Sequence, residues 1–260
     1  MEIVTFNIWD LPLWFVRNRK KRMLDIAEYF AARGTDIVCF QESWSAEHRA
    51  GLARCLQNNG YHRAMTKAEK QPSHGGLLTF SKFPIQSVRF IKFGRRGVAV
   101  SEIMGNKGAL EVVIETPAGL LRVVNVHLHH QSSRFFATMP IRLRQLEIMF
   151  KVLAENSELP TVIGGDFNEH DMLQSPVFTN LFAQHGFTHP AEEGKMQPTY
   201  RAENFFVDNW LNRVDTSQRY DYILIKNMDK LGYTTISYAP VYMTPELSDH
   251  DPVALGLRAQ

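Results

Sequence analysis

Two stretches of this chain repeat one pattern: a buried strand, a helix with one-sided apolar spacing, and a second buried strand, the strands finishing on polar residues. In the first, Ile3-Val4-Thr5-Phe6 runs into Asn7, and Met23, Ile26, Ala27 and Phe30 predict a helix over 19–33 closed by Gly34. A strand over 36–40 then ends in Gln41-Glu42. In the second, a strand over 121–126 ends at His127 and a helix is predicted over 138–155. Thr161-Val162-Ile163 follows and runs into Gly164-Gly165-Asp166-Phe167-Asn168. A strand–helix–strand crossover makes its two strands parallel, so both polar ends lie on one rim of a sheet. Two such units predict two similar half-domains facing each other, with Asn7 and Glu42 opposite His127 and Asp166.

The intervening chain reads as a helix over 45–59, a strand over 77–80, and antiparallel strands over 88–93 and 97–104. A hairpin-type turn at Gly105-Asn106-Lys107-Gly108 then leads into a strand over 109–115. After a helix over 174–186 and an irregular region come two late strands, 222–225 and 252–257. These carry their acids in front: Asp221 before one, Asp249 and His250 before the other. If both run antiparallel to their neighbours, their starts reach the rim where the earlier strands end. No linker or low-complexity segment interrupts residues 1–260, and this length suits a single α/β domain.

The rim therefore collects Asn7, Glu42, His127, Asp166, Asn168, Asp221, Asp249 and His250. Carboxylates and amides are hard oxygen ligands that suit Mg²⁺, or Mn²⁺, rather than zinc. The two cysteines, Cys39 and Cys55, lack metal-ligand spacing, and no H-E-x-x-H occurs. The adjacent pair Asp249-His250 predicts a histidine oriented by a carboxylate, able to take a proton from water. Metal and base in one cleft fit hydrolysis of a phosphate ester. A net charge of +2 imposes no overall attraction to nucleic acid or an anionic membrane. No stretch has the length of a bilayer span, and the chain opens directly on a strand with no visible signal peptide. The expectation is a cytoplasmic protein with peripheral membrane contact; secretion of a processed form stays open.

Six ordered motifs resemble those of the endonuclease/exonuclease/phosphatase superfamily, the DNase I-like proteins. They are Phe6-Asn7-Ile8-Trp9, Gln41-Glu42, Asn125-Val126-His127-Leu128, Gly165-Asp166-Phe167-Asn168, Tyr220-Asp221-Tyr222-Ile223 and Ser248-Asp249-His250-Asp251-Pro252-Val253. Phe80-Ser81-Lys82-Phe83-Pro84-Ile85 and Arg142-x-x-Gln145 resemble its secondary motifs. The resemblance implies a four-layer α/β/β/α sandwich of two mixed β-sheets flanked by helices, and Mg²⁺-dependent phosphoester hydrolysis. Within the superfamily, Asn7-Ile8-Trp9-Asp10-Leu11-Pro12, Asn106-Lys107-Gly108-Ala109-Leu110 and His127-Leu128-His129 are most similar to neutral sphingomyelinases.

That likeness implies Mg²⁺ on Glu42 with Asn7 nearby and His250 as general base oriented by Asp249. Asp166, Asn168, Asp221 and His127 would order phosphate and water, and Lys107 would contact substrate. The implied partner is a phospholipid or another phosphate ester. Residues 11–16 beside Arg17, Arg19, Lys20, Lys21 and Arg22, and residues 204–210, are candidate membrane contacts. The Met104 to Gly108 loop is equally similar to one in inositol polyphosphate phosphatases, but Arg219-Tyr220-Asp221-Tyr222 lacks their Trp-Cys-Asp-Arg pattern. An inositol phosphate phosphatase and a Mg²⁺-dependent nuclease are the alternatives, with nucleic acid disfavoured by the modest charge; a non-catalytic binding module is a third. Nothing in the sequence calls for an obligate protein partner.

Overall fold

The computed structural model describes residues 1–12, 16, 18–65, 75–94, 98, 103, 105–130, 138–190, 197–207 and 214–260. Both crossovers form. Strand β1 (Glu2–Asn7), helix α1 (Arg19–Arg33) and strand β2 (Ile37–Gln41) make the first, with β1 and β2 parallel. Gly34 closes α1 in the left-handed conformation (φ 77°), the backbone state that glycine reaches without steric cost. Helix α2 (Ala46–Asn58) follows, capped by the Ser45 hydroxyl, which accepts a bond from the His48 N–H at 3.3 Å. Strands β3 (His62–Arg63) and β4 (Leu78–Ser81) complete one edge of this sheet.

The second sheet begins with β5 (Ile85–Lys92) and β6 (Gly108–Thr116). Strand β7 (Gly119–His127), helix α3 (Met139–Leu153) and strand β8 (Thr161–Asp166) form the second crossover, again parallel. Helix α4 (Pro176–Gln184) leads to β9 (Asp221–Lys226), antiparallel to β8; β10 (Tyr233–Pro240) and β11 (Val253–Ala259) return to the first sheet. The sheets run β10-β11-β1-β2-β4-β3 and β5-β6-β7-β8-β9, both mixed.

Three apolar layers glue four structural ones. Phe6, Phe30, Phe40, Leu52 and Phe80 join the first sheet to α1 and α2. Val124, Val126, Leu146, Phe150 and Phe182 join the second sheet to α3 and α4. Ile3, Ile37, Val112, Val123 and Leu255 fill the space between the sheets. The result is the α/β/β/α sandwich, held near the rim by buried amides as well as by apolar packing. Asn125 Nδ2 of β7 donates to the Phe40 and Leu78 carbonyls of the opposite sheet, both at 2.9 Å. Gln41 Nε2 donates to Asn125 Oδ1 at 2.7 Å.

One expected feature is corrected. Residues 105–108 do not close a tight hairpin: β6 pairs with β5 over Ile85 to Lys92, and Phe93 N–H meets the Lys107 carbonyl at 3.3 Å. Gly108 is required there by contact rather than by turn geometry, because a Cβ would lie 2.4 Å from the Ile91 carbonyl oxygen. The strand expected over 97–104 falls almost wholly outside the described residues.

The Gly164-Gly165 pair divides its tasks. A Cβ at 165 would lie 1.9 Å from the Val126 carbonyl oxygen on the neighbouring strand, whereas one at 164 would approach Thr5 Cβ at 3.3 Å across the sheets. Gly165→Ala must therefore push backbone apart, and we expect a loss of about 3 kcal/mol in urea unfolding, well beyond that of Gly164→Ala. Equal losses in the two variants would contradict this division.

Candidate active site

The polar strand ends do meet. Asn7 closes β1 and sends its Nδ2 to Glu42 Oε1 at 3.2 Å and to Asp166 Oδ2 at 3.0 Å. Its Oδ1 accepts the Trp9 N–H at 3.1 Å, and Asp166 Oδ1 accepts the Asn168 N–H at 2.8 Å, so each strand ends in a turn closed by its own side chain. Trp9, Glu42 and Asn168 all take positive φ, between 48° and 59°. Such backbone costs a non-glycine residue about 1–3 kcal/mol and concentrates at functional sites.

Across the cleft the late strands contribute as their antiparallel direction requires. His250 Nδ1 bonds Asp221 Oδ2 at 2.7 Å, and His250 Nε2 lies 3.9 Å from Asp166 Oδ2. The expectation that Asp249 orients His250 is thus corrected to Asp221. Asp249 Oδ1 accepts instead from the Ser248 hydroxyl at 3.2 Å, and its charge bears on Glu42 and Arg22. His127 Nε2 stands between, 3.6 Å from Asp166 Oδ2 and 3.9 Å from Glu42 Oε1.

Lys107 and Asn168 gather on one carbonyl. Lys107 Nζ and Asn168 Nδ2 both donate to the Leu128 oxygen, at 2.9 and 3.1 Å. The Trp44 indole, seated against Gly76 and Gly105, packs the Lys107 loop beside Glu42. Behind the site, Arg142 of α3 binds Glu169 and the His129 carbonyl, and Gln145 accepts the His129 N–H at 2.8 Å. These contacts fix both catalytic loops to one helix.

Electrostatics separate the groups. Burial, with the Asp249 charge adding to it, pushes the Glu42 carboxyl up to about 7. Burial likewise raises Asp221 to about 6 despite the nearby imidazole. Burial alone would depress His250, yet Asp221, Asp166 and Asp249 hold it well above the ordinary histidine range. Burial and the Lys107 charge keep His127 well below that range, so it is neutral.

Among the described residues Glu42 Oε2 and Asp221 Oδ1 are buried without a hydrogen-bond partner. An orphaned carboxylate oxygen beside a second acid suits a hard divalent cation, so Glu42 fits the ion expected from the sequence, with Asn7 nearby holding the other Glu42 oxygen through its Nδ2. Ligand atoms of Asp166, Asp221 and His250 lie within 4.8 Å of one another, a second grouping able to hold a cation.

The sequence profile of the Endonuclease/Exonuclease/phosphatase family matches residues 4–250. The chain belongs to this family. The family's members hydrolyse phosphoesters, and this chain carries the family fold. No curated protein gives a significant sequence match. Among solved structures, a beta toxin variant from Staphylococcus aureus shares 19% identity over 100% of both chains (TM-score 0.76). Sphingomyelinase C from Streptomyces griseocarneus shares 18% over 100% of this chain and 99% of its own (TM-score 0.76). A double mutant of the toxin with bound magnesium ions shares 19%, over 100% and 99% (TM-score 0.73). At such identities the likeness concerns the fold.

Two site residues carry no sequence signal. Thr199 Oγ1 donates to Asp221 Oδ2 at 2.7 Å, and the Tyr200 ring lies 5.1 Å from the His250 ring, edge-on. Both sit in irregular chain bridged to Gln218 and to the Asp251 N–H, where no periodicity could reveal them.

The raised Glu42 value has a consequence for stability. Its folded pKa of about 7 exceeds the ordinary 4.5, so ionisation disfavours the metal-free fold. The penalty is absent below the lower value, grows between the two and is complete above the upper. Glu42→Gln should therefore stabilise the metal-free protein on the order of 2 kcal/mol at mildly alkaline pH and not at acidic pH, in chemical unfolding. Destabilisation at alkaline pH would contradict the buried, unpaired charge.

Proposed function

We propose that the protein is a Mg²⁺-dependent phosphodiesterase that cleaves a phospholipid headgroup ester, as the sphingomyelinase among its structural relatives does by name. The observation that carries the reading is the opposition around Asp166. On one side lie Asn7 and the unpaired Glu42 carboxylate; on the other, a histidine held by a carboxylate. A phosphate lying between them has a cation site at one face and a base at the other.

Glu42 would hold the cation, with Asn7 fixing its carboxylate, and the cation would supply charge neutralisation at the phosphate. With Nδ1–H committed to Asp221, neutral His250 would present Nε2 to a water once the cation offsets the carboxylate charges that raise its pKa in the metal-free protein. As that oxygen attacks phosphorus, the proton passes to Nε2, the Asp221 charge stabilises the imidazolium, and the ester P–O bond breaks so that the alcohol oxygen leaves and takes up a proton. Neutral His127 and cationic Lys107 face the oxygens whose charge grows in the transition state. Thr199 holds Asp221 so that the imidazole stays aimed.

The lipid side of the reading rests on Phe205, 67% exposed. Its neighbour Asn204 donates to the Ser248 carbonyl at 3.0 Å, which ties an exposed aromatic to the segment bearing Asp249 and His250. The other candidate contact keeps Lys20 and Lys21 exposed while Arg19 and Arg22 turn inward. Arg19 pairs with Asp10, Lys20 with Glu47 and Lys21 with Asp25, while Arg22 is buried under Trp9 and Phe206. Residues 13–15, Arg17 and 208–210 lie outside the described residues. Among the described residues no helix is long and apolar enough to cross a membrane.

With Mg²⁺ the protein should release phosphocholine from sphingomyelin or lysophospholipid micelles. It should lose turnover in EDTA, regain it with Mg²⁺ far better than with Ca²⁺, and lose it in a folded His250→Ala variant. Release of inorganic phosphate from inositol phosphates, or plasmid nicking, with untouched phospholipid would replace this assignment.

A further inference from the structure

The second sheet carries another polar row at its far end. The rung that aligns His127, Asp166 and Asp221 has a counterpart five residues away, where Arg122 pairs with Thr161 and Thr161 with Lys226. An odd offset reverses the pleat, so this row faces α3 and α4 rather than the opposite sheet, roughly 17 Å from the catalytic rim. It floors a cavity of about 370 Å³, walled by Phe150, Leu153 and Phe187 and also lined by His185. None of its lining residues is acidic.

The cations there are under-used. Arg122 is 2% exposed, yet among the described residues its side chain makes one hydrogen bond, from Nη1 to the Leu153 carbonyl at 3.0 Å. Its Nε is ion-paired with Glu111 Oε1 at 3.0 Å, while Arg89 takes the other oxygen of that carboxylate at 2.5 Å. A guanidinium offers five donors, so most of this one's capacity is unmet by protein. Among the described residues Lys226 forms no ion pair; its Nζ sits 5.6 Å above the Phe187 ring, and neighbouring Glu158 is bonded to Lys230. His185 lies flat on Phe150 at 4.4 Å, and burial, with the Lys226 charge adding to it, keeps its pKa below the ordinary range. Capping of a helix C-terminus accounts for one Arg122 bond and for nothing that Lys226 does.

We propose that this cavity binds a phosphate-bearing anion, with Lys226 and Arg122 on the phosphate oxygens and the apolar walls against any organic substituent. The site is separate from the catalytic rim and stands independently of the substrate proposed above. Free phosphate and a phosphomonoester present the same anchor, and the test tells them apart.

The metal-free protein would be titrated with inorganic phosphate and, separately, glycerol 1-phosphate, following backbone amide shifts by NMR, with chloride at matched ionic strength as control. Saturable shifts are expected at Gly186, Phe187 and Lys226. Lys226→Met should weaken them about tenfold while Lys226→Arg retains them, as loss of one charge-assisted bond implies. Phosphoester hydrolysis should be unchanged in both variants. Tighter binding of the ester identifies a phosphomonoester as the ligand, and equal binding identifies free phosphate. Shifts confined to the catalytic rim, reproduced by chloride, or unaltered in Lys226→Met would overturn the proposal.

Discussion

The structure depends on a buried amide contact between its two sheets. Asn125 reaches from β7 to two carbonyls of the opposite sheet and receives Gln41 in return. Buried amides are costly unless paired, so this set of bonds admits one relative placement of the sheets where apolar packing alone would tolerate sliding. His127 lies two residues beyond Asn125, and Glu42 follows Gln41. The contact that fixes the sheets therefore also fixes the span between the two halves of the site. Above it, Asn7 closes the gap by touching Glu42 and Asp166 together.

The site itself is assembled against local preference. Four carboxylates, Glu42, Asp166, Asp221 and Asp249, crowd a volume from which water is largely removed, with Arg22, Lys107 and His250 as partial compensation. Three residues at its strand ends hold left-handed backbone. Such arrangements persist only where surrounding packing enforces them, and the aromatic layers around Phe40, Phe80, Phe150 and Phe182 supply that packing. The unpaired oxygen on Glu42 is the remainder of this imbalance, and a divalent cation answers it in kind.

The double crossover and the rim it creates were legible because strand and helix periods differ and buried parallel strands read as apolar runs. Hence Asn7, Glu42, His127, Asp166, Asp221 and His250 could be placed on one rim before any coordinates. The partner of His250 could not. Adjacency suggested Asp249, but the bond runs to Asp221, a choice made by tertiary approach of β9 to the 248–250 segment. Thr199 and Tyr200 lay in chain without period, and β10 escaped notice because an edge strand with exposed Ile236 lacks a clean alternation. In the basic run after residue 16 only Lys20 and Lys21 of the described cations stay on the surface, beside Glu47 and Asp25, whereas Arg19 binds Asp10 and Arg22 is buried against Trp9. Side-chain pairings are decided by what approaches from elsewhere, which no local pattern encodes.

The proposed division of labour around Asp166 unites these features: metal on the Glu42 side, proton transfer on the His250 side. Crystals grown with Mn²⁺ and measured at its absorption edge test this most directly, since the anomalous signal locates the ion without reference to activity. The expected result is a peak bonded to the Glu42 carboxylate, with His250 Nε2 left open. A peak ligated by His250 together with Asp166 and Asp221, and none at Glu42, would contradict it.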